Sequence, residues 1–418
     1  MDISSLISGG SAPGQDSTPA IEYAAQAASP IVSGDVRMAI GKDALIVTAL
    51  FTAVEVPFAE MNALAYTNHI ITISADSGDY SFSRMGSWAQ PFYDALFDAY
   101  NKAVLRSLFI PGAPLLIAGG DYRHSEDGAI CSGSAPIHVY ENNVAVLPPD
   151  LSARRVPLCF VTGMEKGAFQ LTLALDTGES YTYAKLGYDT DSFAGAVEKQ
   201  IRKLREESLA AAKEIDPSLA VAQASRIASL MPQGAAAPIS QLSGISPSFV
   251  SALEGKIAAT RAAEYYNAFA ELCDKSRFWI GFRKNEASTG DMAADGMDEL
   301  GSEDAAPDPY LLWLIVPSPD GRFAAVEFAE ADAATFVYRV NGDFTGFARK
   351  INHALEAIDF KREVIRLSDE ELRKPENADY YMAMKRTAAL QFVRSNFVGR
   401  VIHSSPGNWK RKLTELWN

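Results

Sequence analysis

The chain has 418 residues, of which 48% are hydrophobic and 22% are charged, and its formal net charge is −14. This length exceeds what one compact core accommodates, so it predicts two to four domains. The acidic balance argues against broad binding to nucleic acid or to anionic lipid, because both require a basic surface.

Cysteine usage and targeting patterns predict the compartment. The three cysteines, Cys131, Cys159 and Cys273, are widely spaced and form no CxxC pair. This pattern fits a reducing environment and argues against a thiolate zinc site. Residues 1–10 lack the basic and apolar regions of a secretory signal, and apolar runs such as 113–119 are far shorter than a membrane span. We therefore expect a cytoplasmic protein without a cofactor.

The first 33 residues are rich in Ser, Gly, Ala and Pro and predict a flexible arm, in which residues 21–28 could form one or two helical turns. A first module follows over 34–110. Its short strand-like runs, separated by turn residues, predict an antiparallel meander. Phe92, Leu96, Tyr100 and Val104 then recur every four residues and predict one helix with an apolar face.

The same order of motifs returns about a hundred residues later, in a second module over 111–207. The sequence ITISADSGD at 71–79 is echoed by LTLALDTGE at 171–179. After one extra residue in the second copy, aromatic, basic, glycine and helix positions agree in type and order, from Tyr80 with Tyr181 to Tyr100 with Ile201. This agreement predicts an internal repeat.

A weaker third copy is predicted over 276–362. Its basic, apolar and turn residues recur with the spacing found between Lys185 and Ile201, at Arg339, Val340, Asn341, Phe347, Ile351 and Leu355. Within it, residues 286–309 include eight acidic and no basic side chains, which predicts a disordered insertion in a hairpin loop. A helical linker region is predicted at 208–275, and further helices at 363–418.

Each module, with six or seven short antiparallel strands and then one amphipathic helix, resembles the pleckstrin-homology-like fold. The resemblance implies an α+β chain of three such modules, each a bent sheet closed by its C-terminal helix. Known members bind phosphoinositides through Lys and Arg clustered in the loop between the first two strands. The loops that we assign to that position, GKD at 41–43 and ENN at 141–143, are not basic. The resemblance therefore implies no lipid recognition.

The densest polar cluster is the sequence DYRHSED at 121–127. We interpret it as an exposed, solvated loop, although its carboxylates and histidine would also suit acid–base catalysis. The five histidines show no metal-ligand spacing, and the sequence contains no phosphate-binding glycine loop, nucleophile elbow or paired-carboxylate motif. We therefore predict no catalytic, cofactor-binding or metal-binding residue.

The C-terminal stretch 380–418 is basic and rich in aromatic side chains, in contrast to the acidic remainder of the chain. It predicts either a docking helix for an acidic partner, membrane surface or nucleic acid, or a helix that packs on the third module. We favour packing, because the acidic body supplies nearby charges. The candidate partner-binding residues are Lys385, Arg386, Arg394, Lys410, Arg411 and Lys412.

The sequence thus favours a non-catalytic binding or scaffold protein whose tandem modules present loops and sheet edges to a protein partner. One alternative is an enzyme with its site in a cleft between modules, around Tyr122, His124 and Glu126. Another is a membrane-peripheral adaptor that uses the basic C-terminal residues. Nucleic acid is not expected as a partner.

Overall fold

The computed structural model describes residues 21–126, 128–284, 310–329 and 334–418. The chain divides into two compact units, Met1–Ala103 and Val104–Asn418. The predicted acidic insertion at 286–309 lies outside the described residues, as do residues 1–20 of the predicted arm. Among the residues that are described, no helix combines the length and the apolar character needed to cross a membrane.

The first sheet has seven antiparallel strands in the order β4-β3-β2-β1-β7-β6-β5. Helix α1 (Ala89–Ser107) follows its last strand, and the predicted stripe residues Phe92, Leu96 and Tyr100 are fully buried. The strands are β1 Glu22–Ala28, β2 Gly34–Ile40, β3 Ala44–Thr48, β4 Ala53–Pro57, β5 Met61–Thr67, β6 Ile70–Ala75 and β7 Gly78–Ser83.

Strand β1 corrects the interpretation of residues 1–33 as an arm. It begins at Glu22, inside the stretch for which the sequence suggests helical turns, and that prediction is wrong. β1 pairs with β2 on one side and with β7 on the other. Alanine has a low preference for strands, so pairing on both sides, not local propensity, places Ala25 and Ala27 in the core.

The second sheet lies in the unit Val104–Asn418 and has the order β11-β10-β9-β8-β14-β13-β12. Subtracting seven from each strand number reproduces the order of the first sheet, as an internal repeat predicts. Helix α2 (Thr190–Ile215) follows the last strand, as α1 follows β7. The strands are β8 Leu116–Glu126, β9 Ala129–Val139, β10 Asn143–Val146, β11 Arg154–Pro157, β12 Val161–Lys166, β13 Gln170–Leu175 and β14 Ser180–Ala184.

The repeat extends to the backbone conformation of single residues. A bulge interrupts the pairing of β5 with β6 and, at the equivalent place, of β12 with β13. After the last strand of each module, Arg84 (φ 60°) and Lys185 (φ 55°) adopt positive φ, and a glycine with positive φ follows two residues later. Positive φ is uncommon for residues with a side chain. Its recurrence therefore marks the same constrained turn before each closing helix.

Two sequence interpretations of the second module change. The run at 121–127 is not a loop, because its first six residues belong to the 11-residue strand β8. Alternate side chains of a strand face inward, and Tyr122 and His124 are accordingly buried. Residues 41–43 connect β2 with β3, and residues 141 and 142 lie between β9 and β10, which begins at Asn143. They are not the loops between the first two strands, because the sequence interpretation missed the first strand of each module.

Helices connect the second and third sheets, as predicted for this region. They are α3 Val221–Leu230, α4 Ile239–Ile245, α5 Pro247–Ala258 and α6 Ala263–Leu272. A two-residue strand, β15 (Ala237–Pro238), lies between α3 and α4.

The third sheet does not repeat the other two. Its six antiparallel strands lie in sequence order, β15-β16-β17-β18-β19-β20. The prediction of a third copy is therefore wrong in topology, although Phe347 on the following helix, α7 (Phe344–Ala357), is buried as predicted. The further strands are β16 Trp279–Lys284, β17 Tyr310–Pro317, β18 Phe323–Phe328, β19 Ala334–Arg339 and β20 Phe397–Ile402.

The C-terminal region contains the predicted helices and one unpredicted strand. Ser368 and Glu371 form a capping box at the start of one helix, and Ser405 precedes another, which begins at Pro406. Strand β20 interrupts the helices and pairs with β19. The helices are α8 Glu363–Arg366, α9 Asp369–Leu372, α10 Ala378–Arg386, α11 Ala388–Asn396 and α12 Pro406–Leu416.

Helices cover both faces of the third sheet. On one face, Phe249, Phe269 and Trp409 of α5, α6 and α12 pack in one hydrophobic cluster with the sheet. On the other, Ile351 of α7 and Val393 of α11 pack in a second cluster. All eight residues of β17 are consequently buried. Two-sided burial explains the unbroken apolar sequence YLLWLIVP of this strand.

A buried polar cluster attaches the C-terminal segment to the third sheet. The Glu327 carboxylate is 1% exposed, accepts a hydrogen bond from the Thr335 hydroxyl, and lies 2.9 Å from His403 Nε2. The same hydroxyl accepts a hydrogen bond of 2.9 Å from Trp409 Nε1. Burial raises the pKa of Glu327, while His403 and Thr335 act in the opposite direction. The cluster therefore links β18 and β19 to α12.

We predict that Phe92→Ala and Phe193→Ala each lower the free energy of unfolding by about 3–5 kcal/mol, because each fully buried ring is replaced by a cavity. Chemical denaturation followed by circular dichroism measures the change. The fully exposed Tyr188 supplies the control, since Tyr188→Ala should change stability by less than about 0.5 kcal/mol. A change that small at either phenylalanine would contradict the packing of the closing helices.

Candidate functional site

A polar cleft opens where the second sheet, α7 and the junction of α10 with α11 meet, within the unit Val104–Asn418. It is open to solvent and has a cavity volume of about 40 Å³, which is room for a few water-sized groups. Charged side chains are costly to remove from water unless they are paired, so their concentration here marks a candidate site. Those that line the polar cleft are Glu126, Arg154, Arg155, Glu179 and Arg386.

One wall comes from the neighbouring strands β8 and β14. Glu126, the last residue of β8, accepts a hydrogen bond of 3.2 Å from Arg154 Nε. Glu179 precedes β14 and accepts one of 3.0 Å from the Tyr181 hydroxyl. Burial raises the pKa of Tyr181 well above its usual value, and the charges of Glu179 and Glu126 raise it further. Tyr181 is therefore a neutral hydrogen-bond donor.

Arg155 of β11 and Glu356 of α7 join the second sheet to the third beside this wall. The guanidinium donates two hydrogen bonds to the carboxylate, one of them from Nη2 to Oε1 at 2.6 Å. The side chains are only 6% and 14% exposed. Arg155 Nε is buried and has no hydrogen-bond partner among the described residues. A bidentate pair shielded from water is strongly oriented, so it fixes the edge of β11 against α7.

A second contact between α7 and the second module is made by His353. Its Nε2 lies 2.6 Å from Asp176 Oδ1, and its ring stacks on Phe160 with the centroids 4.1 Å apart. One helical turn earlier, Arg349 donates a hydrogen bond of 3.0 Å to the Asp176 carbonyl oxygen. His353 lines the polar cleft, so α7 contributes both a contact to the second sheet and part of the wall.

The opposite wall is the junction of α10 with α11. Arg386 ends α10, is 1% exposed, and donates a hydrogen bond of 3.1 Å from Nη1 to the Met382 carbonyl oxygen. Thr387, Ala388 and Ala389 continue the wall. Thr387 is the N-cap of α11, but its side chain accepts no hydrogen bond from the first turn. The N–H groups and the partial positive charge of a helix N-terminus therefore lie at this wall.

The structure separates the residues of the predicted enzyme site. Glu126 lines the polar cleft, whereas Tyr122 and His124 lie in the interior of the second module, where His124 is 3% exposed. Its ring lies between those of Tyr122 and Tyr181, with centroid distances of 6.0 and 5.7 Å. Burial, and next the charge of Arg154, lower the pKa of His124 to about 4. His124 is thus a neutral core residue at neutral pH.

Most of the predicted partner-binding residues make contacts within the chain. Arg394 donates hydrogen bonds to the carbonyl oxygens of Val364 and Leu367 and to Asp369. Lys410 pairs with Glu271 and Arg411 with Glu415. Lys385 lies 4.7 Å from the centre of the Tyr381 ring, Arg386 lines the polar cleft, and Lys412 is exposed.

Sequence reasoning missed Arg154, Arg155, Glu179, His353 and Glu356. The adjacent arginines at 154 and 155, in an otherwise acidic chain, are the one available signal. The partner of Arg155 lies 201 residues further along the chain. No local pattern indicates a pair at that separation.

No group of three or more His, Cys, Asp or Glu side chains within the described ranges could hold a metal ion. No protein-family model matches the chain, and no curated protein is significantly similar to it in sequence. The candidate site therefore has to be interpreted from its own geometry.

We predict that His124→Phe makes the stability less dependent on pH. Because the pKa of His124 falls from 6.5 to about 4 on folding, the unfolded chain binds a proton that the folded chain does not. The protein therefore loses stability as the pH falls from 6.5 towards 4. Denaturant unfolding at about pH 7 and about pH 4.5 measures the loss, which should be smaller in the variant. The same loss in both proteins would contradict a buried, neutral His124.

Proposed function

We propose that this chain is a non-catalytic binding protein of the pleckstrin-homology-like type, and that the polar cleft is where it binds a protein partner. One observation carries the proposal: ion pairs and hydrogen bonds within the chain already orient the charged side chains of the polar cleft. Groups that are ordered before binding lose less conformational entropy on binding. A preorganised, charged recess is what specific recognition of a polar partner requires.

The strand order of the first two sheets supports the fold assignment. In each sheet the first strand lies between the second and the seventh, so two antiparallel meanders of four and three strands join along it. A single long helix follows each sheet. A seven-stranded antiparallel sheet with a C-terminal helix is the arrangement that the resemblance implies. We limit this assignment to the first two modules, because the third sheet has a different strand order.

The pairing of the polar groups favours binding over catalysis. Glu126 and Glu179 each accept a hydrogen bond from a neighbouring side chain, and His353 contacts Asp176 through Nε2. A general base must instead reach a proton of the substrate. An enzyme is the second candidate, because a carboxylate that orients a histidine beside a cleft also occurs in acid–base catalysis.

The C-terminal contacts favour a protein partner over a membrane. Charges engaged with Glu271, Glu415 and Asp369 within the chain are less able to attract anionic lipid. We also propose a cytoplasmic location, because Cys131, Cys159 and Cys273 are free thiols.

Affinity purification of the full chain from its native host tests the proposal, with Ala388→Trp as the blocking variant. Ala388 lines the polar cleft, so a large ring there should exclude the partner and reduce its recovery about tenfold. The matched control is Ala210→Trp, at an exposed position of α2, which should retain the partner. Thermal unfolding establishes that both variants fold. Equal recovery with both variants would contradict the proposed site.

A further inference from the structure

The second module carries a docking surface for a helix of the same chain. Strand β11 lies at the edge of its sheet, and α7 packs beside it. Arg155 of β11 pairs with Glu356 of α7, and Asp176, in the turn between β13 and β14, contacts His353 one helical turn earlier. An edge strand and a neighbouring turn therefore hold the helix, and the internal repeat implies a counterpart of this surface in the first module.

The counterpart contains the edge strand β4 of the first sheet. Strands β4 and β11 both end in proline, and two residues before that proline stand Glu55 in β4 and Arg155 in β11. A backbone hydrogen bond of 3.1 Å from the N–H of Asp76 to the carbonyl oxygen of Glu60 recurs at 3.2 Å between the equivalent residues of the second module. Strand β4, the hairpin tip before it and the turn after β6 therefore form an equivalent surface, here called the β4 surface.

The β4 surface is exposed, and its charge is opposite to that of its counterpart. Glu55 is exposed and makes no hydrogen bond or ion pair within the described residues, whereas the side chain of Arg155 is only 6% exposed against Glu356. Asp76 in the turn after β6 is also exposed. Opposite charges favour the correct partner at an interface and like charges exclude others. The side chain that complements Glu55 is therefore a lysine or an arginine.

Two large apolar side chains form the hairpin tip of the β4 surface. Leu50 is 85% exposed and Phe51 is 92% exposed, in a turn closed by a hydrogen bond of 2.7 Å from the Ala49 N–H to the Thr52 carbonyl oxygen. Polar residues and glycine are usual in such a turn. Adjacent exposed apolar side chains mark sites of interaction, and aromatic rings are frequent anchors in protein interfaces. The hairpin at 44–57 has no basic residue that would favour an anionic lipid surface.

We propose that the β4 surface binds an amphipathic helix of a partner protein, with a basic side chain of that helix paired to Glu55. This surface belongs to the first module, so the inference goes beyond the proposed function of the polar cleft. The helix docks as α7 docks on β11, with a lysine or arginine in the place of Glu356. Apolar side chains of the same helix cover Leu50 and Phe51. An amphipathic helix that lays its apolar face on a complementary surface is a recurring mode of recognition.

A charge-exchange experiment with two peptides tests the inference. The probes are the 14-residue sequence of α7 and the same peptide with Glu356→Arg. At low ionic strength the full chain should bind the Glu356→Arg peptide about tenfold more tightly than the α7 peptide, because only the former brings a positive charge to Glu55. Glu55→Arg in the full chain should reverse this preference. The control Asp94→Arg, at an exposed position of α1, should retain it. Fluorescence anisotropy of labelled peptides measures the affinities.

A second pair of variants tests the hairpin tip. Phe51→Ser should weaken binding of the Glu356→Arg peptide about tenfold, because the ring loses the apolar contact that it gains on binding. The matched control is Phe169→Ser, which removes a ring that is 78% exposed between β12 and β13 of the second module, and it should leave binding unchanged. Thermal unfolding establishes that both variants fold.

The outcomes separate this inference from the proposed function. The inference is wrong if neither peptide binds up to about 1 mM, if the unmodified chain binds both equally, or if Glu55→Arg behaves as Asp94→Arg does. Ala388→Trp, which alters the polar cleft, should leave peptide binding unchanged. Loss of peptide binding in that variant would assign the peptide to the polar cleft and contradict the inference. Recovery of the partner by Ala388→Trp judges the proposed function alone.

Discussion

The buried ion pair between Arg155 and Glu356 is the interaction on which the polar cleft depends. It connects the edge strand β11 of the second sheet with α7, the helix that packs on the third sheet. Breaking such a pair leaves an uncompensated charge in a poorly hydrated place, which is strongly unfavourable. The pair therefore holds the second sheet against α7, which packs in one hydrophobic cluster with α11 of the opposite wall. The contact of His353 with Asp176 reinforces the same junction.

The two repeated modules differ in the contacts made by the turn before their last strand. In the first module, Asp76 of the turn between β6 and β7 accepts a hydrogen bond from Asn62 of its own sheet. In the second module, the equivalent Asp176 contacts His353 of α7, and Glu179 of the same turn lines the polar cleft. One backbone turn thus serves a local contact in one copy and a long-range contact in the other. The difference lies in the side chains, because the strand orders agree.

Local and repeated patterns were predictable from the sequence, and long-range pairings were not. The stripe that includes Phe92, and the echo of residues 71–79 at 171–179, depend on spacing over a short stretch of sequence, and the structure has the buried helix face and the repeated strand order. Strand β20 was missed because β19, with which it pairs, lies beyond five intervening helices. Of the charged side chains that line the polar cleft, Glu126 and Arg386 were named in advance. Arg155 was not, because its partner Glu356 lies 201 residues away in the sequence.

A double-mutant cycle on Arg155 and Glu356 tests the central role of their pair most directly. Denaturant unfolding of Arg155→Met, Glu356→Leu and the double variant gives the coupling energy. Each single change should cost about 3–5 kcal/mol, while the double variant should recover at least about 2 kcal/mol of their sum. The same cycle on the exposed pair of Arg37 and Glu22 should give less than about 1 kcal/mol. Additive effects at Arg155 and Glu356 would contradict the account.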